Sequence, residues 1–172
     1  MTLEEENSVS QVGNRVDNKP QMEMGEVLRE VLLRAKDDGR ITCGVYRSAH
    51  KLDMDPDHVM LCIHADSSQE DVALHIHFTL MEAFCTENYI RLFKVDGHEQ
   101  LAKLLGDMKH KSNMATADDN SPVEEAPRIS TEDCVCLLVE YPKEMDATTT
   151  ALLEFYQSHI QMGPFPHIKL AE

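Results

Sequence analysis

The sequence predicts an α/β fold in which about five helices cover both faces of a mixed sheet of about four strands, a three-layer α/β/α sandwich. Short continuous apolar runs at residues 59–63 and 134–140 are typical of strands that are covered on both faces. Segments with apolar residues at helical spacing alternate with these runs, and most connections between them are short. This alternation of strands and helices indicates one α/β domain.

The amino-terminal region begins with residues that cannot form a core. Residues 1–21 are rich in Glu, Asn, Ser and Gln, so we expect a flexible acidic tail there and a single domain at 22–172. Apolar side chains then recur every three or four positions over residues 24–36, which predicts the first helix.

The next elements are predicted from a cap and two apolar segments. We expect Thr42 to cap a second helix at 43–52, followed by the buried strand at 59–63. A long apolar segment at 71–88 predicts the third helix.

The remaining elements follow the same alternation. We expect a strand at 90–95 and a helix at 99–105, and then a surface insertion loop at 107–131 that contains two prolines and several acids. After the strand at 134–140, helical spacing at 149–160 and a short apolar run at 167–170 predict the last helix and the last strand.

Charge and hydropathy exclude several classes of function. The 172 residues carry 16 Lys and Arg against 31 Asp and Glu, a net charge of −15. Capture of nucleic acid or anionic lipid begins with a basic face, so this charge opposes both. The chain has no uninterrupted apolar run of about 18 residues, and its acidic start is unlike a signal peptide.

The cysteines predict a reducing compartment. The chain has five cysteines, an odd number, and most lie within apolar runs. We therefore expect buried, reduced thiols in the cytosol or nucleus. Cys134 and Cys136 are two apart in a predicted strand and should share one face of the sheet. A metal site there needs further ligands that the sequence does not pair with them, so core filling is the prediction and a metal or redox role is the alternative.

No catalytic motif is present, so we expect no enzyme, no cofactor and no metal. The glycines do not form a phosphate-binding loop, and no G-x-S-x-G elbow occurs. His75 and His77 would point about 200° apart on a helix and could not hold one ion together.

The predicted helix at 71–88 is more apolar than an ordinary surface helix requires. On a helical wheel, the side chains of Asp71, His75, Thr79, Glu82 and Thr86 share one polar wedge, and nearly all others are apolar. One apolar side, with Leu74, Phe78, Met81 and Cys85, should lie on the sheet. The opposite side needs a second partner, which is either the helix at 43–52 of the same chain or a second copy of the chain.

Several segments resemble the growth arrest and DNA-damage-inducible stress-sensor family of vertebrates. The resemblance is close over residues 24–106 and looser beyond them. The segments that carry it include Gly44-Val45-Tyr46, Asp55-Pro56-Asp57, Asp71-Val72-Ala73-Leu74, Ile76-His77-Phe78-Thr79-Leu80 and Ala83-Phe84-Cys85, and residues 72–84 are its most specific part.

The resemblance implies the fold of kink-turn-binding ribosomal proteins and a non-enzymatic adaptor of the nucleus and cytoplasm. Such an adaptor regulates growth and apoptosis in the stress response. The implied partners are a MAP kinase kinase kinase that it binds and activates, the mitotic cyclin-dependent kinase with its cyclin, proliferating cell nuclear antigen and a cyclin-kinase inhibitor. The alternative is an RNA-binding protein of the ribosomal superfamily, which the acidic charge opposes.

The resemblance also implies two sets of site residues. It implies a homodimer through the helices at 43–52 and 71–88, and together with the apolar side of the helical wheel it predicts an interface at Val45, Ala73, Ile76, His77, Leu80 and Phe84. It further implies a partner-binding acidic patch, represented here by Asp66, Glu70 and Asp71. The alternative for the acidic patch is a solvated loop that aids solubility.

Overall fold

The computed structural model describes residues 19–65, 71–106, 130–161 and 165–170, and it places five helices around one sheet. The helices are α1 (Lys19–Asp37), α2 (Val45–Met54), α3 (Val72–Glu87), α4 (His98–Leu105) and α5 (Ala147–Ile160). The strands are β1 (Ile41–Cys43), β2 (Val59–Ala65), β3 (Arg91–Asp96), β4 (Cys136–Glu140) and β5 (His167–Lys169). Short 3-10 turns at Pro56–His58 and Thr131–Val135 precede β2 and β4.

The sheet is mixed and has the strand order β1-β4-β2-β3-β5. β2 pairs in parallel with β3, and β3 with β5, whereas β4 runs antiparallel to both β1 and β2. Every residue of the central strand β2 is buried, as its continuous apolar sequence predicts.

Helices cover both faces of this sheet, which confirms the predicted three-layer α/β/α sandwich. On one face α1, α4 and α5 pack on the sheet through side chains that include Leu28, Leu32, Leu101 and Leu152. On the other face α2 and α3 pack on it through Leu52, Met81 and Cys85. The two helices α2 and α3 therefore form one outer layer of the molecule.

The second helix begins later than predicted, and a fifth strand takes its place. Thr42 does not cap a helix, because it lies in β1 and pairs with Leu138 of β4. Gly44 separates this strand from α2 with φ 99 and ψ 145, a conformation that is nearly exclusive to glycine. The glycine turns the chain from the sheet edge into the helix.

The prediction that Cys134 and Cys136 share a face is wrong. Cys134 lies in the 3-10 turn that precedes β4, so the strand alternation does not extend back to it. Its side chain joins the core beneath α1, α4 and α5, whereas Cys136 joins the core beneath α2 and α3. All five cysteines are buried free thiols, as predicted.

Two boundaries can be compared with the predictions. α1 begins at Lys19, inside the range expected to be a tail. Most of the predicted insertion loop, residues 107–129, lies outside the described residues. No described helix is long and apolar enough to cross a membrane.

Candidate functional site

The helix α3 carries the candidate site, and its start is set by Asp71. The Asp71 carboxylate accepts hydrogen bonds from the backbone N–H groups of Ala73, at 2.9 Å, and Leu74, at 3.4 Å. This is an N-cap, which satisfies donors that a helix leaves free at its first turn. The cap fixes the residue at which α3 begins.

The side of α3 that faces the sheet is the predicted one. Met81 and Cys85 are buried, and Leu74 and Phe78 pack against the same core while remaining half-buried. The polar wedge also forms as predicted, with the hydroxyls of Thr79 and Thr86 donating to the backbone carbonyls of His75 and Glu82.

The remaining side of α3 is apolar and exposed. Val72 is 74%, Ile76 54% and Leu80 63% exposed, and Ala73 lies beside them on the surface. Tyr46, in the first turn of α2, is 80% exposed and contacts α3 through the ring of His77. We call the set Tyr46, Val72, Ala73, Ile76 and Leu80 the α2/α3 face.

Nothing in the described part of the chain buries the α2/α3 face. The sequence left two explanations open for the surplus apolar side chains of α3, and α2 was one of them. The exposures show that α2 lies beside this face without covering it. Contiguous apolar surfaces are typical of interaction sites in soluble proteins.

The six residues predicted for a dimer interface divide into two groups. Ala73, Ile76 and Leu80 are exposed on the α2/α3 face. Val45 and Phe84 are half-buried and pack against the core beneath α2 and α3, and His77 is half-buried against Tyr46. The interface itself stays a prediction, and its accessible part is the first group.

Tyr46 was missing from the predicted interface. The predicted interface contains its neighbour Val45, but the Val45 side chain is half-buried whereas that of Tyr46 is exposed. The signal that could have identified Tyr46 is its place in the first turn of a short amphipathic helix, where adjacent residues point about 100° apart.

The predicted acidic patch can be placed only in part. Asp66 and Glu70 lie outside the described residues. Asp71 is exposed, and its carboxylate is engaged with the start of α3. A partner that binds Asp71 would therefore meet an acid whose position is fixed by the helix.

Lys51, in the last turn of α2, bears on the RNA-binding alternative. Lys51 is half-buried and forms ion pairs with Glu140, at 2.7 Å, and with Asp55, at 3.3 Å. These carboxylates raise the pKa of Lys51, the hydrogen bond with Glu140 being the main cause. The ammonium group of Lys51 is thus neutralised within the chain.

A cluster of polar side chains lies in the core beneath α2 and α3. Cys62, His64 and Cys136 are buried, and their ligand-forming atoms lie within 4.8 Å of one another. A hydrogen bond with Cys62, and then the adjacent His64 and Ser48, lower the pKa of the Cys136 thiol to about 5 although burial opposes this. Within the described ranges, neither His64 nitrogen nor the Ser48 hydroxyl makes a hydrogen bond of normal geometry.

The sequence does not predict this buried cluster, because spacing along the chain relates Cys136 only to Cys134. The alternation of β2 places Cys62 and His64 on one face, and this Cys-x-His pattern was the available signal. The pairing of β2 with β4, which brings Cys136 to the same place, is not visible in the sequence.

Comparison with known proteins gives a consistent set of relatives. Residues 26–124 match the model of the ribosomal protein L7Ae/L30e/S12e/Gadd45 family. The chain is 40% identical over 144 residues to the growth arrest and DNA damage-inducible protein GADD45 alpha of Rattus norvegicus, a match that covers 83% of this chain and 79% of the relative. It is 45% identical over 107 residues to GADD45 alpha of Homo sapiens, covering 61% and 62% of the two chains. It is 35% identical over 144 residues to GADD45 beta of Bos taurus, covering 83% and 78%.

Proposed function

Since the chain belongs to the L7Ae/L30e/S12e/Gadd45 family, we propose that it is a non-enzymatic adaptor of the stress response that regulates cell growth and apoptosis by binding other proteins. The relatives are named for growth arrest and for induction by DNA damage, which supports the role in stress and growth arrest. We place this activity in the nucleus and cytoplasm, in accord with the five free buried thiols.

The observation that carries this proposal is the exposed α2/α3 face. It presents aliphatic side chains and one tyrosine on two adjacent helices, which suits recognition of another protein surface. Tyrosine is among the residue types that contribute most of the binding free energy at the centre of an interface, where surrounding contacts exclude water.

A second copy of this chain is the first proposed partner. A two-fold interface uses the same surface on both subunits, and an apolar helix face can pack against its own copy. An interface of standard size buries about 1,600 Å² in total, and α3 with the first turn of α2 would supply a good part of it.

The further proposed partners are a stress-pathway MAP kinase kinase kinase, the mitotic cyclin-dependent kinase with its cyclin, proliferating cell nuclear antigen and a cyclin-kinase inhibitor. An adaptor can activate an autoinhibited kinase without chemistry of its own. If it binds only the open form, it shifts the equilibrium by its difference in affinity for the two forms. Acids such as Asp66, Glu70 and Asp71 would attract basic residues of the kinase and increase the association rate.

The adaptor role is tested by adding the purified chain to an autoinhibited MAP kinase kinase kinase of the stress pathway. Kinase activity should rise with the concentration of the chain and saturate at the stoichiometry of the complex. The matched control is the isolated kinase domain, which lacks autoinhibition and should not respond. An unchanged activity of the full kinase over the whole titration would contradict the proposal.

The self-association is tested by sedimentation equilibrium of Leu80→Glu beside Thr79→Glu. Both substitutions add one negative charge to α3, but Leu80 lies on the α2/α3 face and Thr79 on the polar wedge. We expect Leu80→Glu to be a folded monomer and Thr79→Glu to remain a dimer. A dimer in both variants would place the contact elsewhere on the molecule.

RNA binding is the second candidate, because the matching family includes ribosomal proteins. The net charge of −15 and the internal ion pairs of Lys51 oppose contact with phosphate. Filter binding at low salt decides between the candidates, since tight and salt-sensitive retention of RNA would favour this one.

A further inference from the structure

Three metal-binding side chains converge in the core between the sheet and the layer formed by α2 and α3. Cys62 and His64 are two residues apart on β2 and therefore share a face. Cys136 lies on β4 directly opposite His64 in the antiparallel pair. The two sulfur atoms and an imidazole nitrogen all lie within 4.8 Å of one another.

The imidazole of His64 is the observation that points to a ligand. Its side chain is only 3% exposed and stacks on Phe78, and neither ring nitrogen makes a hydrogen bond with any residue that the structure describes. The Oε1 atom of Glu82 lies 3.8 Å from the Nδ1 atom of His64, beyond hydrogen-bond distance. A buried polar group without a partner costs free energy, which a bond to an ion would offset.

Further soft donors surround the three residues. The Sδ atom of Met81 lies 3.8 Å from the Sγ atom of Cys136, and the thiol of Cys85 lies beside that of Cys62. Both come from α3, so the cluster spans β2, β4 and α3. Thiolate and thioether sulfurs with an imidazole are the donor set of Zn²⁺ and Cu⁺, and hard ions such as Mg²⁺ and Ca²⁺ prefer oxygen.

We propose that Cys62, His64 and Cys136 form a site for one thiophilic metal ion, with Met81 or Cys85 as the additional sulfur donor. Zn²⁺ is the ion expected first, because two thiolates, a neutral imidazole and the thioether of Met81 leave no net charge around it in the core. Both cysteines bind as thiolates, so any proton that a thiol still carries is released to solvent as the two Zn–S bonds form.

The required movement is small. Zn–S bonds of about 2.3 Å place two sulfur ligands of one tetrahedral ion about 3.8 Å apart. Closing the separations from the observed 4.8 Å limit needs shifts of about 1 Å, which side-chain rotation supplies. The bound ion would tie β2 to β4 and stabilise the face of the sheet on which α3 packs.

The test uses the full chain, freed of metal and kept reduced without added thiol. After addition of Zn²⁺ or Cu⁺ and desalting, elemental analysis should find one ion per chain. Thermal unfolding should shift upward by roughly 5–10 °C when the free ion is at about a hundred times its Kd. Retention of Cu⁺ alone would support the thiophilic site and identify its ion.

Cys136→Ala is the test variant and Cys134→Ala is its matched control. Both remove a buried thiol from the same segment, but Cys134 lies in the core on the other face of the sheet. The ion and the thermal shift should be lost in Cys136→Ala and kept in Cys134→Ala.

Cobalt substitution of the unmodified chain adds a measurement that does not depend on folding of a variant. Co²⁺ should produce thiolate-to-cobalt charge-transfer bands and the intense visible bands of a tetrahedral site. Absence of these bands together with no retained Zn²⁺ or Cu⁺ would overturn the proposal. Equal retention by Cys136→Ala and the unmodified chain would overturn it as well.

Discussion

The ring of Tyr46 meets the ring of His77 edge-on, with centroids 5.8 Å apart and planes inclined by 64°. This contact joins the first turn of α2 to the side of α3 that is not covered by the sheet. Tyr46 remains 80% exposed although its ring rests against α3. The α2/α3 face is therefore built from two helices, and a partner that binds α3 also meets the tyrosine.

Replacing Tyr46 with alanine should weaken self-association. The ring offers a large apolar area that is already positioned by His77, so little entropy is lost when a second copy covers it. We expect the dissociation constant of the dimer to rise about tenfold or more, measured by sedimentation equilibrium.

Tyr89→Ala is the control for this substitution. Tyr89 is 93% exposed and follows the end of α3, outside the α2/α3 face. Its removal should leave the dissociation constant unchanged. Equal effects of the two substitutions would mean that Tyr46 has no special place in the contact.

The sequence predicts those helices and strands whose apolar pattern extends over several consecutive residues. The continuous apolar run of β2 and the helical spacing of α3 each encode burial directly, and both elements formed where expected. β1 was missed because three residues are too few for a pattern, and its only support is pairing with β4, which lies far along the chain. Thr42 has the residue type of a helix cap, but its pairing with β4 places it in a strand instead.

The part of the candidate site that lies on the single helix α3 could be predicted from the sequence. The surplus of apolar residues on α3 already required a second contact, and the exposed Ile76 and Leu80 lie where the wheel placed them. The buried cluster of Cys62, His64 and Cys136 was not predictable in the same way, since its members come from two strands. Its assembly depends on strand register, which a single sequence does not reveal.

Substitutions of Asp71 should separate its role as a helix cap from its charge. Asp71→Ala removes the acceptor for Ala73 and Leu74 and should lower the free energy of unfolding by about 1 kcal/mol. Asp71→Asn keeps a capping oxygen and should be nearly neutral. Urea unfolding of both variants measures the difference, and an unaffected Asp71→Ala would show that the cap contributes nothing.

The charge of Asp71 is tested by kinase association of Asp71→Asn. Because the fold is kept in this variant, a slower association with the MAP kinase kinase kinase would come from the lost charge alone. An association rate equal to that of the unmodified chain at low salt would favour the reading of the acidic segment as a solvated loop.

Because of Asp146, the free energy of unfolding should depend on pH in the acid range. The backbone N–H of Thr149 donates to its carboxylate at 2.6 Å, and Arg34 donates at 2.6 Å from α1. The bond from Thr149, followed by the weaker contribution of Arg34, lowers the pKa of Asp146 below its usual value. Because the pKa is lower in the folded state, the ionised carboxylate stabilises the fold at pH values above its unfolded-state pKa of about 3.9. This contribution is lost as the pH falls through the pKa of the folded state.

The matching experiment is urea unfolding of Asp146→Ala at pH 7, 5, 4 and 3. At pH 7 the variant should unfold with about 1 kcal/mol less free energy than the unmodified chain, the usual cost of a lost N-cap. The difference should shrink below pH 4, because the carboxyl group of the unmodified chain becomes protonated. A difference that is constant from pH 7 to pH 3 would contradict an ionised cap.

Salt should strengthen the dimer. Each copy carries a net charge of −15, so association brings two strongly negative bodies together and repulsion opposes it. The α2/α3 face consists of uncharged side chains, so added salt has little attraction to screen there and mainly reduces the repulsion.

The screening length falls from about 30 Å at 0.01 M to about 3 Å at 1 M salt. Sedimentation equilibrium in sodium chloride should therefore give a dissociation constant that falls several-fold between about 0.05 and 0.5 M. A constant that rises with salt would mean that ion pairs between the copies hold the dimer together, and the contact would then lie on a charged surface away from Ile76 and Leu80.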